Sequence, residues 1–172
     1  MNNELIYPTK SIKSIMNIFS SFPPPINWRV KEANKISDFF WDFIIILDDD
    51  RHITIQRDPD PRYNKVNGVI NMIEFLFHYP IAMNKYGNNL DWVHRFSDRI
   101  NWMIPCGKTM VDNDKEFGPN GVLWLKNSIY LVGGISKSWL HEQFNLYLNS
   151  MELIKNYHLA EPNSPIMEGK WI

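Results

Sequence analysis

At 172 residues, with 44% hydrophobic and 22% charged positions, the chain suits one domain, residues 1–172, that buries roughly 70% of the surface its unfolded form exposes. A formal net charge of −1 removes the basic footprint of a general nucleic-acid binder, so no direct nucleic-acid contact is expected. The single cysteine, Cys106, excludes an intramolecular disulfide and a Cys-rich zinc site, and no motif calls for a cofactor or metal.

The chain opens MNNELIYPTKSIKS, without an apolar signal core, which sets the expectation of a cytoplasmic protein. Thr9 can cap a first helix whose Ile12, Ile15, Met16 and Phe19 recur on one face, and Pro23-Pro24-Pro25 ends it. From Trp28 the apolar positions Val30, Ala33, Ile36, Phe40 and Phe43 are roughly helical to about Phe40.

Phe43 to Leu47 is the longest unbroken apolar run. It is too short to span a bilayer, and no membrane role is expected. Periodicity alone leaves residues 43–47 open between helix and strand. The β-branched and aromatic residues on both sides favour a hairpin that turns at Asp48-Asp49-Asp50 and continues through Ile53-Thr54-Ile55. Asp58-Pro59-Asp60-Pro61 closes that segment.

Val69, Ile70, Ile73, Leu76 and Phe77 lie at helical spacing and predict a helix over 66–79, stopped by Pro80. Asn89 or Asp91 can cap the next helix, with Trp92, Phe96, Ile100 and Met103 on one face as far as Pro105. Residues 105–121 are polar and rich in breakers, the pattern of a long loop. Val122 to Leu125 and Ile129 to Val132 flank Lys126-Asn127-Ser128 and read as a second hairpin. Ser136 or Ser138 caps the clearest helix, with Leu140, Phe144, Tyr147, Leu148, Met151 and Ile154 along its apolar side, and residues 160–172 form an irregular tail. The fold class expected is α+β, one domain of four or five helices with one or two β-hairpins; the alternative is mainly α.

Chemistry is nearly but not fully spelled out. Gly107-Lys108-Thr109 resembles the end of a phosphate loop, yet the glycine required five residues before Gly107 is Trp102. Asp48 cannot open an EF-hand loop, because Ile53 and Pro59 stand where glycine and glutamate belong. The five histidines occur singly, and the carboxylates have no spacing that marks a catalytic pair. His94 with Cys106 would be a thiolate and base pair only if the fold brought them together.

Charge asymmetry is the feature these exclusions leave. Between Asp38 and Asp60 stand seven aspartates (38, 42, 48, 49, 50, 58, 60) and two arginines (51, 57), a local formal charge of 2 − 7 = −5. Acids beside aromatic residues suit a basic protein partner, since complementary potential steers encounter and buried aromatics hold the complex. The competing account is a solvated hairpin whose charges guard its edge against strand addition.

A chain rich in Asn and Ile, with many tryptophans and clustered Asp48, Asp49, Asp50, Asp58 and Asp60 but no catalytic motif, resembles the bacterial immunity proteins that neutralise secreted or contact-delivered toxins. The resemblance is one of general style over the whole chain. It implies a non-enzymatic protein that binds a cognate, basic toxin, a nuclease being one possibility. Asp48, Asp49, Asp50 and Asp60 would meet basic groups of the partner, and Trp41 would be either an anchor beside them or part of the core. Two rival classes stand beside it: a small enzyme with a site assembled around the 105–121 loop, and a phage or plasmid-encoded inhibitor of a host protein.

Overall fold

In MIEFLFHYP the residues Ile73, Phe75, Phe77 and Tyr79 alternate with Glu74, Leu76 and His78, and the odd-numbered set is wholly buried. A period of two is the strand period, and it decides the centre of the molecule. The structure, a computed structural model, describes residues 4–7, 12–23, 28–31, 42–47, 51–57, 72–82, 90–112 and 121–167. Among them the strands are β1 (Leu5–Ile6), β2 (Trp28–Lys31), β3 (Asp42–Leu47), β4 (His52–Arg57), β5 (Met72–Pro80), β6 (Lys108–Asp112), β7 (Val122–Tyr130) and β8 (Ile135–Ser136). The helices are α1 (Ile12–Ser20), α2 (Leu90–Met103) and α3 (Lys137–Ala160). The class is α+β, with more strand than the sequence reading expects.

Six strands form one sheet in the order β2-β3-β4-β5-β7-β6, and β1 pairs with β8 in a separate two-stranded sheet. The pairs β2–β3, β3–β4, β4–β5 and β6–β7 are antiparallel. By packing, the chain divides into two compact units: Met1–Leu76 with Ser128–Asn145, and Phe77–Asn127 with Leu146–Ile172. Strands β5 and β7 and helix α3 contribute residues to both.

The core of the first unit is aromatic. Phe19 from α1 meets Phe43, Phe75 and Phe144 edge-on at centroid distances of 5.5, 5.8 and 5.4 Å, and Ile45, Ile53 and Ile55 supply fully buried β-branched neighbours. Edge-to-face contacts of this kind add about 0.5–1.5 kcal/mol per pair beyond the area buried. β1 reaches this unit through the pairs Leu5↔Ser136 and Ile6↔Ile135, with Lys137 N–H donating to the Glu4 carbonyl.

In the second unit α3 continues with Tyr147, Leu148, Met151 and Ile154 buried, while α2 buries Val93, Phe96, Ser97 and Ile100. Residues 161–167 are tied back to the end of β5: Ala82 N–H donates to the Pro165 carbonyl and Met167 N–H to that of Pro80.

Four sequence expectations need correction. The helix over 66–79 is the strand β5 in its described part, because aromatic and β-branched residues at every second position override the coincident helical spacing. The helix expected from Trp28 begins as strand β2, paired with β3 from Trp28↔Leu47 to Lys31↔Ile44. The loop expected over 105–121 contains β6. The second hairpin is a single strand, β7, and Lys126-Asn127-Ser128 is its middle rather than a turn. Those polar residues stay in the strand because they have partners: Ser128 Oγ bonds a Glu74 carboxylate oxygen at 2.7 Å in the first unit, and Asn127 Nδ2 donates to Cys106 Sγ at 3.1 Å in the second. Residues 43–47, open between helix and strand, are strand.

Candidate protein-binding surface

β3 and β4 pair from Asp42↔Gln56 to Ile46↔His52, and Leu47 N–H donates to the Arg51 carbonyl at 2.9 Å. The expected hairpin is therefore in place on both sides of residues 48–50. Asp48, Asp49, Asp50, Asp60 and Trp41, the residues expected to meet a partner, lie outside the described residues. Of the flanking side chains, His52 is exposed and Arg51 is buried.

The described part of the first unit exposes a second feature that the sequence reading missed. β7 leads into a turn at Gly133-Gly134, both glycines in the left-handed region at φ 86° and 82°, with Gly134 N–H donating to the Leu131 carbonyl. Tyr7 rests close to that turn: a Cβ at Gly134 would sit 2.8 Å from its ring, so any larger residue there would have to displace the tyrosine. After the turn, Ser136 Oγ accepts from the Trp139 N–H at 3.1 Å and caps α3.

Around this turn five large apolar side chains face water: Leu5, Tyr7, Tyr130, Val132 and Trp139, with Val132 at 69% exposure. Two of them stand on β7 and its end, one on the first turn of α3 and two on or beside β1. Single exposed hydrophobics need no explanation, but a group of five within one turn region, three of them aromatic, is the composition of a contact surface. The alternation of β7 carries the signal: Leu123, Leu125, Ile129 and Leu131 are buried, which places Tyr130 and Val132 on the other side.

The thiol offers different chemistry. Cys106 is buried, its backbone N–H donates to Ser150 Oγ and its carbonyl accepts from the same hydroxyl at 2.8 Å. Burial pushes the thiol up from its ordinary value, against the lowering contributions of the Gly107 and Asn127 hydrogen bonds. A nucleophilic cysteine needs the opposite shift. His94, its proposed base, stands on the exposed side of α2.

Gly107 also has a structural reason: at φ 82° its Cα approaches the Lys126 carbonyl so closely that a Cβ would lie 2.9 Å from it. Lys108 and Thr109, which completed the resemblance to a phosphate loop, are the first residues of β6. Among the described residues no group of three His, Cys, Asp or Glu gathers as metal ligands would. No helix among them is long and apolar enough to cross a membrane.

A scan against protein-family models gives no match to this chain, and no curated protein matches it.

Proposed function

We propose that this chain acts by binding another protein, as a stoichiometric, non-enzymatic inhibitor of a basic toxin inside the cell that makes it. The observation that carries the reading is the group of exposed Leu5, Tyr7, Tyr130, Val132 and Trp139 around the Gly133-Gly134 turn. Aromatic side chains of this kind supply most of the energy of protein interfaces, while charge sets the encounter rate and the choice of partner. The charge comes from the aspartate-rich stretch between 38 and 60, at a formal −5, which selects a cationic surface. Division of labour follows: aromatic residues set residence time, and Asp48, Asp49, Asp50 and Asp60 set association rate and its dependence on salt.

The test is affinity capture from the native host at low ionic strength, with the native chain, a Tyr130→Ser/Val132→Ser variant and an Asp48→Lys/Asp49→Lys/Asp50→Lys variant. The native chain should hold one basic protein at a fixed ratio. The first variant should raise its dissociation rate at least tenfold, as expected when about 1.4 kcal/mol or more is lost. The second should slow association and flatten its response to salt. A partner bound equally by all three proteins would refute both assignments.

A further inference from the structure

Helix α2 buries Val93, Phe96, Ser97 and Ile100 and turns a different set to water. Asp91, Arg95, Asp98 and Trp102 are all exposed, and their spacings of four, three and four residues keep them on one stripe of the helix. For the three charged residues alone, a solvated face with pairs along the helix is a sufficient account. It does not cover Trp102, which is 91% exposed although a tryptophan ordinarily buries about 150–250 Å² in a core or interface.

We propose that this stripe is the face of a two-fold self-association, α2 packing antiparallel against α2 of a second copy. Charge selects the occupant and the direction. In a parallel pair Asp91, Arg95 and Asp98 would each face their own kind, three like-charge contacts. In an antiparallel pair whose two-fold axis passes midway between residues 96 and 97, Arg95 faces Asp98 of the second copy. Symmetry repeats the pair, as it must in a C2 interface. The same operation brings Trp102 to Asp91 at the start of the other helix, beside Trp92, over whose ring Arg99 lies at 5.7 Å. The two tryptophans thereby leave water at the two ends of the contact, with the ion pairs between them. Together they cover roughly 300–500 Å². Stable interfaces bury about 1,200–2,000 Å², so flanking side chains must supply the rest and association is of the weak, concentration-dependent kind.

Sedimentation equilibrium of the full chain over a wide range of concentration tests this. The mass should rise from 20.4 kDa toward twice that value and fall again on dilution. Arg95→Asp alone, Asp98→Arg alone and Trp102→Ala should each weaken association at least tenfold, with the circular dichroism spectrum unchanged because all three side chains are exposed. The double variant Arg95→Asp/Asp98→Arg should restore it, since both symmetric pairs then exchange sign together. A mass of 20.4 kDa at every concentration would overturn the proposal. So would a dimer that tolerates Arg95→Asp and Trp102→Ala, which would place the contact on another face.

Discussion

Two adjacent glycines separate backbone strain from crowding. Gly133 and Gly134 share a left-handed φ, but a Cβ meets nothing within 4 Å at the first and the Tyr7 ring at 2.8 Å at the second. Gly133→Ala should therefore cost about 1–2 kcal/mol, the conformational term alone. Gly134→Ala should cost more, and adding Tyr7→Ala should recover the difference in a double-mutant cycle followed by urea denaturation. Equal costs for the two glycines would mean that Tyr7 does not rest on the turn.

Protonation acts at the same scale. Burial raises Cys106 above its ordinary 9.0, and raises Tyr147, whose hydroxyl donates to the Leu125 carbonyl at 2.7 Å, well above 10.0. Both groups are held protonated in the fold, so the stability they contribute is complete below those ordinary values and is lost as pH rises past them. His78, tilted against Trp124 at 5.2 Å, is shifted the other way, below 6.5, by burial. Its contribution is complete above 6.5 and is lost as pH falls below it. Urea denaturation should give a plateau between about pH 6.5 and 9 with losses on either side. A rise in stability from pH 9 to 11 would contradict the placement of Tyr147.

At the scale of elements, the edge of the sheet is where side chains take over backbone work. β6 is the last strand in the order, and Asn101 from α2 completes its ladder: Thr109 N–H donates to Asn101 Oδ1 at 2.6 Å, and Asn101 Nδ2 donates to the Thr109 carbonyl at 3.2 Å. One amide side chain thus stands where a neighbouring strand would, which is a way of closing an edge. Asn101→Ala leaves both backbone groups without these partners and should cost about 1–3 kcal/mol by thermal or urea denaturation. A cost near zero would show that water replaces the side chain.

The elements differ in how far their sequences disclose them. α3 was legible: Leu140, Phe144, Tyr147, Leu148, Met151 and Ile154 are all buried as their spacing implies, and Ser136 caps the helix. α1 buries Ile15 and Phe19 as their spacing implies, with Met16 only partly buried, and α2 buries Phe96 and Ile100, although Trp92 there is only partly buried and Met103 is exposed. β5 was not legible from spacing alone, because Ile73, Leu76 and Phe77 satisfy the helical period while Ile73, Phe75, Phe77 and Tyr79 satisfy the strand period. Only the abundance of aromatic and β-branched residues separates the two. β7 is disguised in the sequence because Lys126-Asn127-Ser128 is polar in the way turns are polar. What keeps it extended is long-range: Glu74 and Cys106 are 54 and 21 residues away from their partners in the chain. The aromatic surface was hidden for a related reason, since Tyr7 meets Gly134 only once β1 has paired with β8.

At the scale of the whole molecule, near-neutral net charge conceals an uneven distribution. A chain at −1 overall that concentrates −5 between residues 38 and 60 leaves the remainder at −1 − (−5) = +4. Such asymmetry is of use when one region must attract a cationic partner while the molecule as a whole avoids general attraction to nucleic acid. Together with the exposed aromatic group of the first unit, this distribution of charge supports the proposed recognition of a cationic partner.

The most direct test of this account is growth protection. The basic protein captured at a fixed ratio from the native host is expressed alone and together with this chain, and cell survival is counted. The account predicts that the partner kills when alone, is harmless beside the native chain, and kills again beside the Asp48→Lys/Asp49→Lys/Asp50→Lys variant. A partner that is harmless alone, or toxicity that the native chain leaves unchanged, would contradict it.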